Sequence, residues 1–363
     1  DLSLKADFDY YISGHQTTRF GFQYTRYDAM YRQGFGETTR SEINTVSAYE
    51  TGYLQHTWAT GAFEFIPGIR ASHFHSGNYT NLSPRASARY YLTESLALKA
   101  GWGMYYQYLN LISVEGFSYT TDMWLPVDET LEPGRAYHTA GGLTLSDSEG
   151  WNLDLEFYHK TMSNLVEFQS RVRLDDSTPL SDLFLQGTGK AYGGEVLLRK
   201  TAGRTTGWIG YTLGWTRQTF PDINNGLEFP PKYDRRHDIS VVSNLDVGRG
   251  WNTNLTWVFG TGQAYTIPES RYEVTQPSGQ TIPYVHVAGK NSYRLPAYHR
   301  MDVGLTKAFR VGETTAELML SVFNVYNRRN IWYRSFDASE DEILFQDVLL
   351  QPILPSIGIK FRM

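Results

Sequence analysis

The sequence predicts an all-β chain, an antiparallel transmembrane β-barrel. Three observations carry that prediction. Apolar and polar residues alternate with period two over run after run. The connections between runs alternate between short and long. Aromatic residues, 15% of the 363, gather at the ends of the runs. A helix would spread such alternation round its circumference, whereas a strand collects it on one face.

Composition removes other classes. Hydrophobic residues are 41%, mean hydropathy is −0.41, and no stretch approaches eighteen consecutive apolar residues, which excludes a helical membrane protein. The aromatic content is too high for a disordered chain. Net charge is −5 with no run of one sign, so no nucleic-acid partner is expected. There is no cysteine, hence no disulfide and no thiol chemistry. No charged-then-apolar leader follows Asp1; either a leader is removed or the chain begins inside a longer protein.

Fifteen strands are read, in order. The first is 2–12, where Leu2, Leu4, Ala6, Phe8, Tyr10 and Ile12 oppose Lys5, Asp7 and Asp9. Strands over 17–28, 45–58, 62–75 and 84–92 follow. In 95–108, Leu96, Leu98, Ala100, Trp102, Met104 and Tyr106 share one face, and Lys99, Tyr105 and Gln107 the other. After 134–146 comes 150–164, where Trp151, Leu153, Leu155 and Phe157 alternate with Asn152, Asp154 and Glu156. The run 188–200 precedes 204–219, in which Ile209, Tyr211, Leu213 and Trp215 alternate with Gly210, Thr212 and Gly214. Then come 234–247 and 250–264, the latter with Trp251, Leu255, Trp257 and Phe259 opposite Asn252, Asn254 and Thr256. Strands over 297–310, 314–326 and 352–363 complete the set, with no helix between them.

Short turns such as Ser13-Gly14-His15, Thr201-Ala202-Gly203 and Val311-Gly312-Glu313 suit hairpins. Long connections span 29–44, 76–83, 109–133, 165–187, 220–233, 265–296 and 327–351. That two-sided asymmetry belongs to outer-membrane barrels. The face bearing Asp, Glu, Lys, Arg and Asn must then line a wet lumen, and the apolar face must meet lipid. Trp58, Trp151 and Trp251 mark one aromatic girdle beside the turns. Tyr24, Tyr27, Tyr106, Tyr108 and Tyr326 mark another toward the loops.

In the last run, Ile357, Ile359, Phe361 and Met363 oppose Ser356, Gly358, Lys360 and Arg362. It resembles the C-terminal strand by which the assembly machinery recognises outer-membrane barrels. Further segments are Leu82-Ser83-Pro84-Arg85, Tyr105-Tyr106-Gln107-Tyr108, Glu132-Pro133-Gly134-Arg135-Ala136 and Ala191-Tyr192-Gly193-Gly194-Glu195-Val196. Then come Tyr233-Asp234-Arg235-Arg236-His237-Asp238, Pro296-Ala297-Tyr298-His299-Arg300-Met301-Asp302 and the stretch from Val322 to Asn330. Their order and spacing resemble the C-terminal half of the barrel of TonB-dependent outer-membrane receptors, especially the Bacteroidetes type. The resemblance implies a barrel of 22 strands filled by an N-terminal plug. Residues 1–363 would then be the C-terminal portion of that barrel, one domain, with the plug and TonB box lying upstream. It also implies energised uptake of a siderophore, cobalamin, oligosaccharide or peptide across the outer membrane of a Gram-negative cell. The implied partners are outer-membrane lipid, the assembly machinery, and the TonB–ExbB–ExbD complex acting through the plug. A passive porin is the alternative.

Candidate binding residues are aromatics in the long loops, where water rather than lipid is expected: Trp124, Tyr265, Tyr272, Tyr284, Trp332, Tyr333 and Phe336. Rigid rings with hydrogen-bonding tips suit sugars, peptides or aromatic chelators. Lumenal Tyr105 and Gln107 join them. No enzyme is expected, because no nucleophile is paired with a base and an orienting group. Asp234, Arg236 and Asp238 read as a ladder of lumenal charges. His73 and His75 share a strand face but do not complete a metal site, and no cofactor is expected.

Overall fold

A computed structural model describes residues 1–35, 38–115, 120–168, 184–279, 281–287, 289–312, 314–337 and 342–362. Met363 and Glu313, read above as strand end and turn, lie outside the described residues, as does much of the 165–187 connection. In chain order the strands are β1 (Leu2–Ser13), β2 (Gln16–Phe35), β3 (Thr38–Thr60), β4 (Phe63–Phe74), β5 (Tyr79–Tyr91), β6 (Leu96–Gln107), β7 (Leu109–Glu115), β8 (Thr120–Pro126), β9 (Gly134–Ser146), β10 (Trp151–Phe168), β11 (Phe184–Lys200) and β12 (Thr205–Thr219). They continue as β13 (His237–Gly248), β14 (Trp251–Gly260), β15 (Ala264–Tyr265), β16 (Ser270–Thr275), β17 (Thr281–His286), β18 (Tyr293–Arg294), β19 (Tyr298–Val311), β20 (Thr314–Phe323), β21 (Ile331–Asp337), β22 (Leu344–Leu349) and β23 (Leu354–Arg362).

Fifteen of these form one sheet, ordered β1-β2-β3-β4-β5-β6-β9-β10-β11-β12-β13-β14-β19-β20-β23. They are the fifteen that alternation picks out. The pairing is an antiparallel meander, with each strand beside the next in the sheet. The other eight strands form four hairpin pairs inside the long connections. Alternation does not reveal these, because each pairs with a single partner and buries little.

Register sets the two faces. Leu255 lies opposite Val303, which lies opposite Val322. Leu320 pairs with Leu305 and Ile357, and Leu318 with Ile359. Leu213 falls on that same face, opposite His237. Asn254 opposite Gly304, Asp302 opposite Thr256, and Glu317 opposite Lys360 occupy the other face. On β10, Asp154 accepts a bond from Thr144 at 2.6 Å, while Leu153 and Leu155 alternate with it. The apolar face is thus continuous across strands.

Strand ends depart from the alternation in several places. The ladder of β2 and β3 runs on to Phe35 opposite Thr38, so much of 29–44 is strand rather than loop. Backbone pairing continues there past the apolar stretch. β5 begins at Tyr79, directly after a single 3-10 turn at Ser76–Asn78. β13 begins at His237 rather than 234, because Pro230 and Pro231 precede a turn in which Asp234 N–H donates to the Pro231 carbonyl.

By packing the chain divides into two compact units. The first is Asp1–Gly141, Tyr158–Ala191 and Arg217–Glu228. Its core is a small aromatic cluster of Phe74, Tyr108 and Val127, with Tyr27, Tyr49, Tyr79 and Tyr106 against it. Phe74 stacks on Tyr108 at 5.1 Å. This corrects the girdle reading for Tyr27 and Tyr108. Tyr24 pairs with Leu4 and belongs to the apolar face, so Tyr27, three residues on, points the other way. In the same unit Tyr53 reaches across Gly21 to donate to Asp7 at 2.5 Å. A Cβ on Gly21 would come within 2.7 Å of that carboxylate, so β2 needs glycine there. The second unit is Gly142–Phe157, Tyr192–Thr216 and Phe229–Met363.

Candidate functional site

The loop hairpins carry most of the aromatics singled out by sequence. In the second unit β16 and β17 pair so that Tyr272 lies opposite Tyr284. Their rings stack at 5.9 Å and 17°, and both are about half exposed, 51% and 44%. The antiparallel cross-strand register sets the two rings against each other. Arg271 and Glu273 form an ion pair at 2.9 Å beside it.

The neck of that loop is clamped. Tyr265 pairs with Tyr293, and Ala264 with Arg294, across β15 and β18. The Arg294 guanidinium bonds both the carboxylate and the carbonyl of Asp234, whose side chain is 1% exposed. Asp234 also accepts Thr216 N–H at 2.8 Å, and Asn291 Nδ2 donates to the Pro230 carbonyl at 3.0 Å. Asp234 therefore holds a loop neck and is not a rung of a lumenal ladder. Arg236 likewise leaves the ladder to lie over the Trp215 ring at 4.5 Å. Both precede β13, where strand alternation does not apply. Tyr293 O–H donates to Glu269 at 3.0 Å, and this hydrogen bond to a carboxylate pushes the phenol pKa up.

In the β21–β22 hairpin the register shifts between Ile331 and Tyr333, a bulge that leaves Trp332 out of the pairing. Trp332 is 63% exposed and meets Tyr333 edge-on at 5.2 Å. Phe336 faces Phe345. Arg334 clasps Asp347 through two bonds of 2.5 and 2.9 Å, which holds the Asp347 carboxyl below its ordinary pKa.

In the first unit Trp124 lies opposite Leu111 in the β7–β8 hairpin and is exposed, while neighbouring Leu125 is buried. The hairpin seats on the aromatic core, since Val127 N–H donates to the Tyr108 carbonyl at 2.9 Å. Tyr105 and Gln107 separate. Tyr105 packs between Arg85, 5.6 Å from its ring, and His138, at 4.6 Å. Gln107 bonds the Leu109 carbonyl at 2.6 Å and supports the loop base.

Sequence reading missed the partners of Tyr105. Arg85 enters only within a motif, and His138 not at all. The polar-face alternation of their strands is the signal that finds them. His73 and His75 meet edge-on at 4.7 Å, with His73 bonded to Thr80 and His75 near Glu50 at 3.3 Å. Among the described residues no group of three or more His, Cys, Asp or Glu is placed to hold a metal.

A family model described as TonB dependent receptor-like, beta-barrel, matches residues 1–327. No curated protein matches the sequence. Among solved structures, Pseudomonas aeruginosa FpvA bound to heterologous pyoverdines matches with a TM-score of 0.66 and 12% identity, over 98% of this chain and 47% of that one. The ferric-catecholate import receptor Fiu of Escherichia coli K12 matches with a TM-score of 0.62 and 14% identity, over 98% and 54%. The ferric enterobactin receptor PfeA of P. aeruginosa matches with a TM-score of 0.59 and 15% identity, over 91% and 48%. The chain spans about half the length of these structures. Family model and fold agree on an outer-membrane β-barrel of the receptor class, and nothing favours a passive pore. The chain belongs to the TonB-dependent receptor β-barrel family.

Proposed function

We propose that this barrel serves energised uptake of a scarce nutrient, with capture by aromatic platforms on the loop hairpins. The Tyr272–Tyr284 stack, held above a neck clamped by Asp234 and Arg294, carries the reading. Two stacked, near-parallel rings with hydroxyl tips favour a flat or ring-bearing ligand: an aromatic iron chelator first, then a sugar or peptide. The compared structures named for pyoverdine, ferric catecholate and enterobactin support the chelator. Trp332, Tyr333, Tyr265 and Trp124 are further capture residues. Uptake would draw on the TonB–ExbB–ExbD complex through a plug, residues 1–363 would be the C-terminal portion of the barrel, and the last strand would engage the assembly machinery. The chain's own residues supply binding and orientation, with no covalent step.

The test is uptake of labelled ferric chelates by cells making the full-length receptor. Replacing 270–286 by a short Gly-Ser linker should abolish uptake with receptor abundance unchanged, because loop closure varies slowly with length. Loss of TonB should abolish it equally. Uptake that survives both changes would sink the reading.

A further inference from the structure

On the apolar face of the second unit, two tryptophans at the short-turn end each carry a lysine. Trp151 opens β10, and the Lys200 ammonium at the end of neighbouring β11 lies 4.3 Å from the centre of its ring. Trp251 opens β14 opposite Lys307 of β19, whose ammonium lies 5.0 Å from its ring. Both lysines belong to the face that meets lipid. Lys307 follows Val303 and Leu305 along β19, and Val303 pairs with Leu255. Lys200 follows Val196 and Leu198 along β11, on the side where a Cβ at Gly194 would come within 3.1 Å of the Phe157 ring. Both lysines are half-buried.

Among the described residues neither lysine forms an ion pair. Lys307 Nζ donates to the Arg249 carbonyl at 2.5 Å, and an ammonium has three donors. The aspartates of the adjoining turns are engaged by their own amides. Asp147 accepts the N–H groups of Glu149 and Trp151 at 2.9 and 2.8 Å, and Asp246 accepts Gly248 N–H at 2.8 Å. Glu149 stands exposed in its turn. Further positive charge lies between the two pairs. Arg204 and Arg249 are exposed at the turns, and a Cβ at Gly248 would lie 3.6 Å from the Arg204 guanidinium. A girdle tryptophan does not require such a lysine: Trp58 in the first unit lies opposite Gln16 and Phe65, with the His56 ring at 4.3 Å. Strands β10, β11, β14 and β19 each have both sheet neighbours within this chain. Their apolar face points away from the lumen, so neither a plug nor a further wall strand lies against it. What lies against it is lipid.

We propose that each Trp–Lys pair holds the phosphate of an anionic phospholipid in the leaflet on the short-turn side, which in this class of barrel is the periplasmic one. A lysine stem lies along the ring and lifts its ammonium to headgroup level, where an unmet charge draws a net-negative headgroup over a zwitterionic one. A lipid rather than a free phosphate ion fits, because the apolar strip continues from each pair through Leu153 and Leu155 or Leu305 and Val303, where acyl chains would lie. The proposal concerns the membrane and is independent of what the receptor takes up.

Purified, delipidated full-length receptor in detergent is titrated with phosphatidylglycerol and, separately, with phosphatidylcholine, and bound lipids are counted by native mass spectrometry. Two phosphatidylglycerol molecules should be retained, with at least about threefold preference over phosphatidylcholine. K200Q and K307Q should each remove one of the two, and K200Q/K307Q should abolish the preference. K200R/K307R should keep it. The charge-matched lumenal change K99Q/K360Q should leave it intact. A large excess of inorganic phosphate, added before the count, should displace neither lipid. Equal retention of the two lipids by the parent receptor would overturn the proposal, as would an unchanged preference in both single variants. So would an equal loss in K99Q/K360Q, which would assign the preference to net charge. Displacement by inorganic phosphate would assign the lysines to a free ion and overturn it too. The single variants carry the test should the double variant fail to fold.

Discussion

The fifteen-stranded wall and the four loop hairpins are built from the same antiparallel pairing, yet they treat aromatic and apolar side chains oppositely. In the wall, Leu255, Leu318 and Leu320 repeat along one face from strand to strand, so each is specified by neighbours on both sides. In the hairpins, Tyr272, Tyr284 and Trp332 have one partner strand and stand exposed. A side chain fixed on two sides serves the sheet. One fixed on a single side is available to a ligand. The same residue types thus read as structure in one region and as capture surface in the other.

The largest expected effect breaks the wall. Leu318→Arg should cost about 2–4 kcal/mol if that position lies at the bilayer midplane, measured by urea titration of the folded receptor in lipid vesicles. The matched change Trp332→Arg should stay within about 0.5 kcal/mol, since it alters an exposed bulge residue. Equal costs at the two sites would erase the distinction.

Next comes the neck that joins the regions. Asp234→Ala leaves Arg294 without its carboxylate and Thr216 N–H without its acceptor. A loss of about 1–3 kcal/mol of local stability follows, with Arg294 partly in water. Hydrogen exchange at Tyr293 and Arg294 should quicken at least tenfold, while β19 keeps its protection. Exchange that speeds along β19 as well would make the hairpin part of the wall.

Much of this was legible in the sequence, and the reasons for what was not are physical. The fifteen wall strands follow from alternation because one face must be apolar throughout. The hairpins carry no such demand, so the pairing of Tyr272 with Tyr284 could not be read from their spacing. Asp234 and Arg236 were assigned to a strand face because two-residue spacing fits one. The turn after Pro231 sends the first to Arg294 and the second to Trp215. Tyr108 sits next to Gln107 in sequence, but packing against Phe74, a long-range contact, decides its burial.

Two smaller effects sharpen the comparison. Tyr284→Ala should weaken ligand capture by more than about 1 kcal/mol, read as at least a fivefold rise in Kd, with Tm unchanged. A matching fall in Tm would return that ring to structure. The smallest effect is on pH. The Arg334 guanidinium holds Asp347 below its ordinary carboxyl pKa. The pair's contribution is therefore full above the unfolded carboxyl value, about 3.9, and fades as pH falls through the lower folded value. For a partly exposed pair it amounts to about 0.2–1 kcal/mol. Exchange at the β22 amides should rise below about pH 4 in the parent and lose that dependence in Asp347→Asn. Persistence of the dependence in Asp347→Asn would assign it to another group.

The most direct test builds on the absence of cysteine from these 363 residues, with any cysteine elsewhere in the full-length receptor replaced by serine. Single cysteines at Leu255, Asn254 and Tyr284 of the receptor in vesicles can be probed with a water-soluble maleimide and with a lipid-embedded nitroxide quencher of a small thiol-linked fluorophore. The account predicts strong lipid quenching and no aqueous labelling at Leu255→Cys. At Asn254→Cys lipid quenching is absent, and at Tyr284→Cys aqueous labelling is fast. Aqueous labelling at Leu255→Cys together with lipid quenching at Asn254→Cys would invert the two faces and contradict the account.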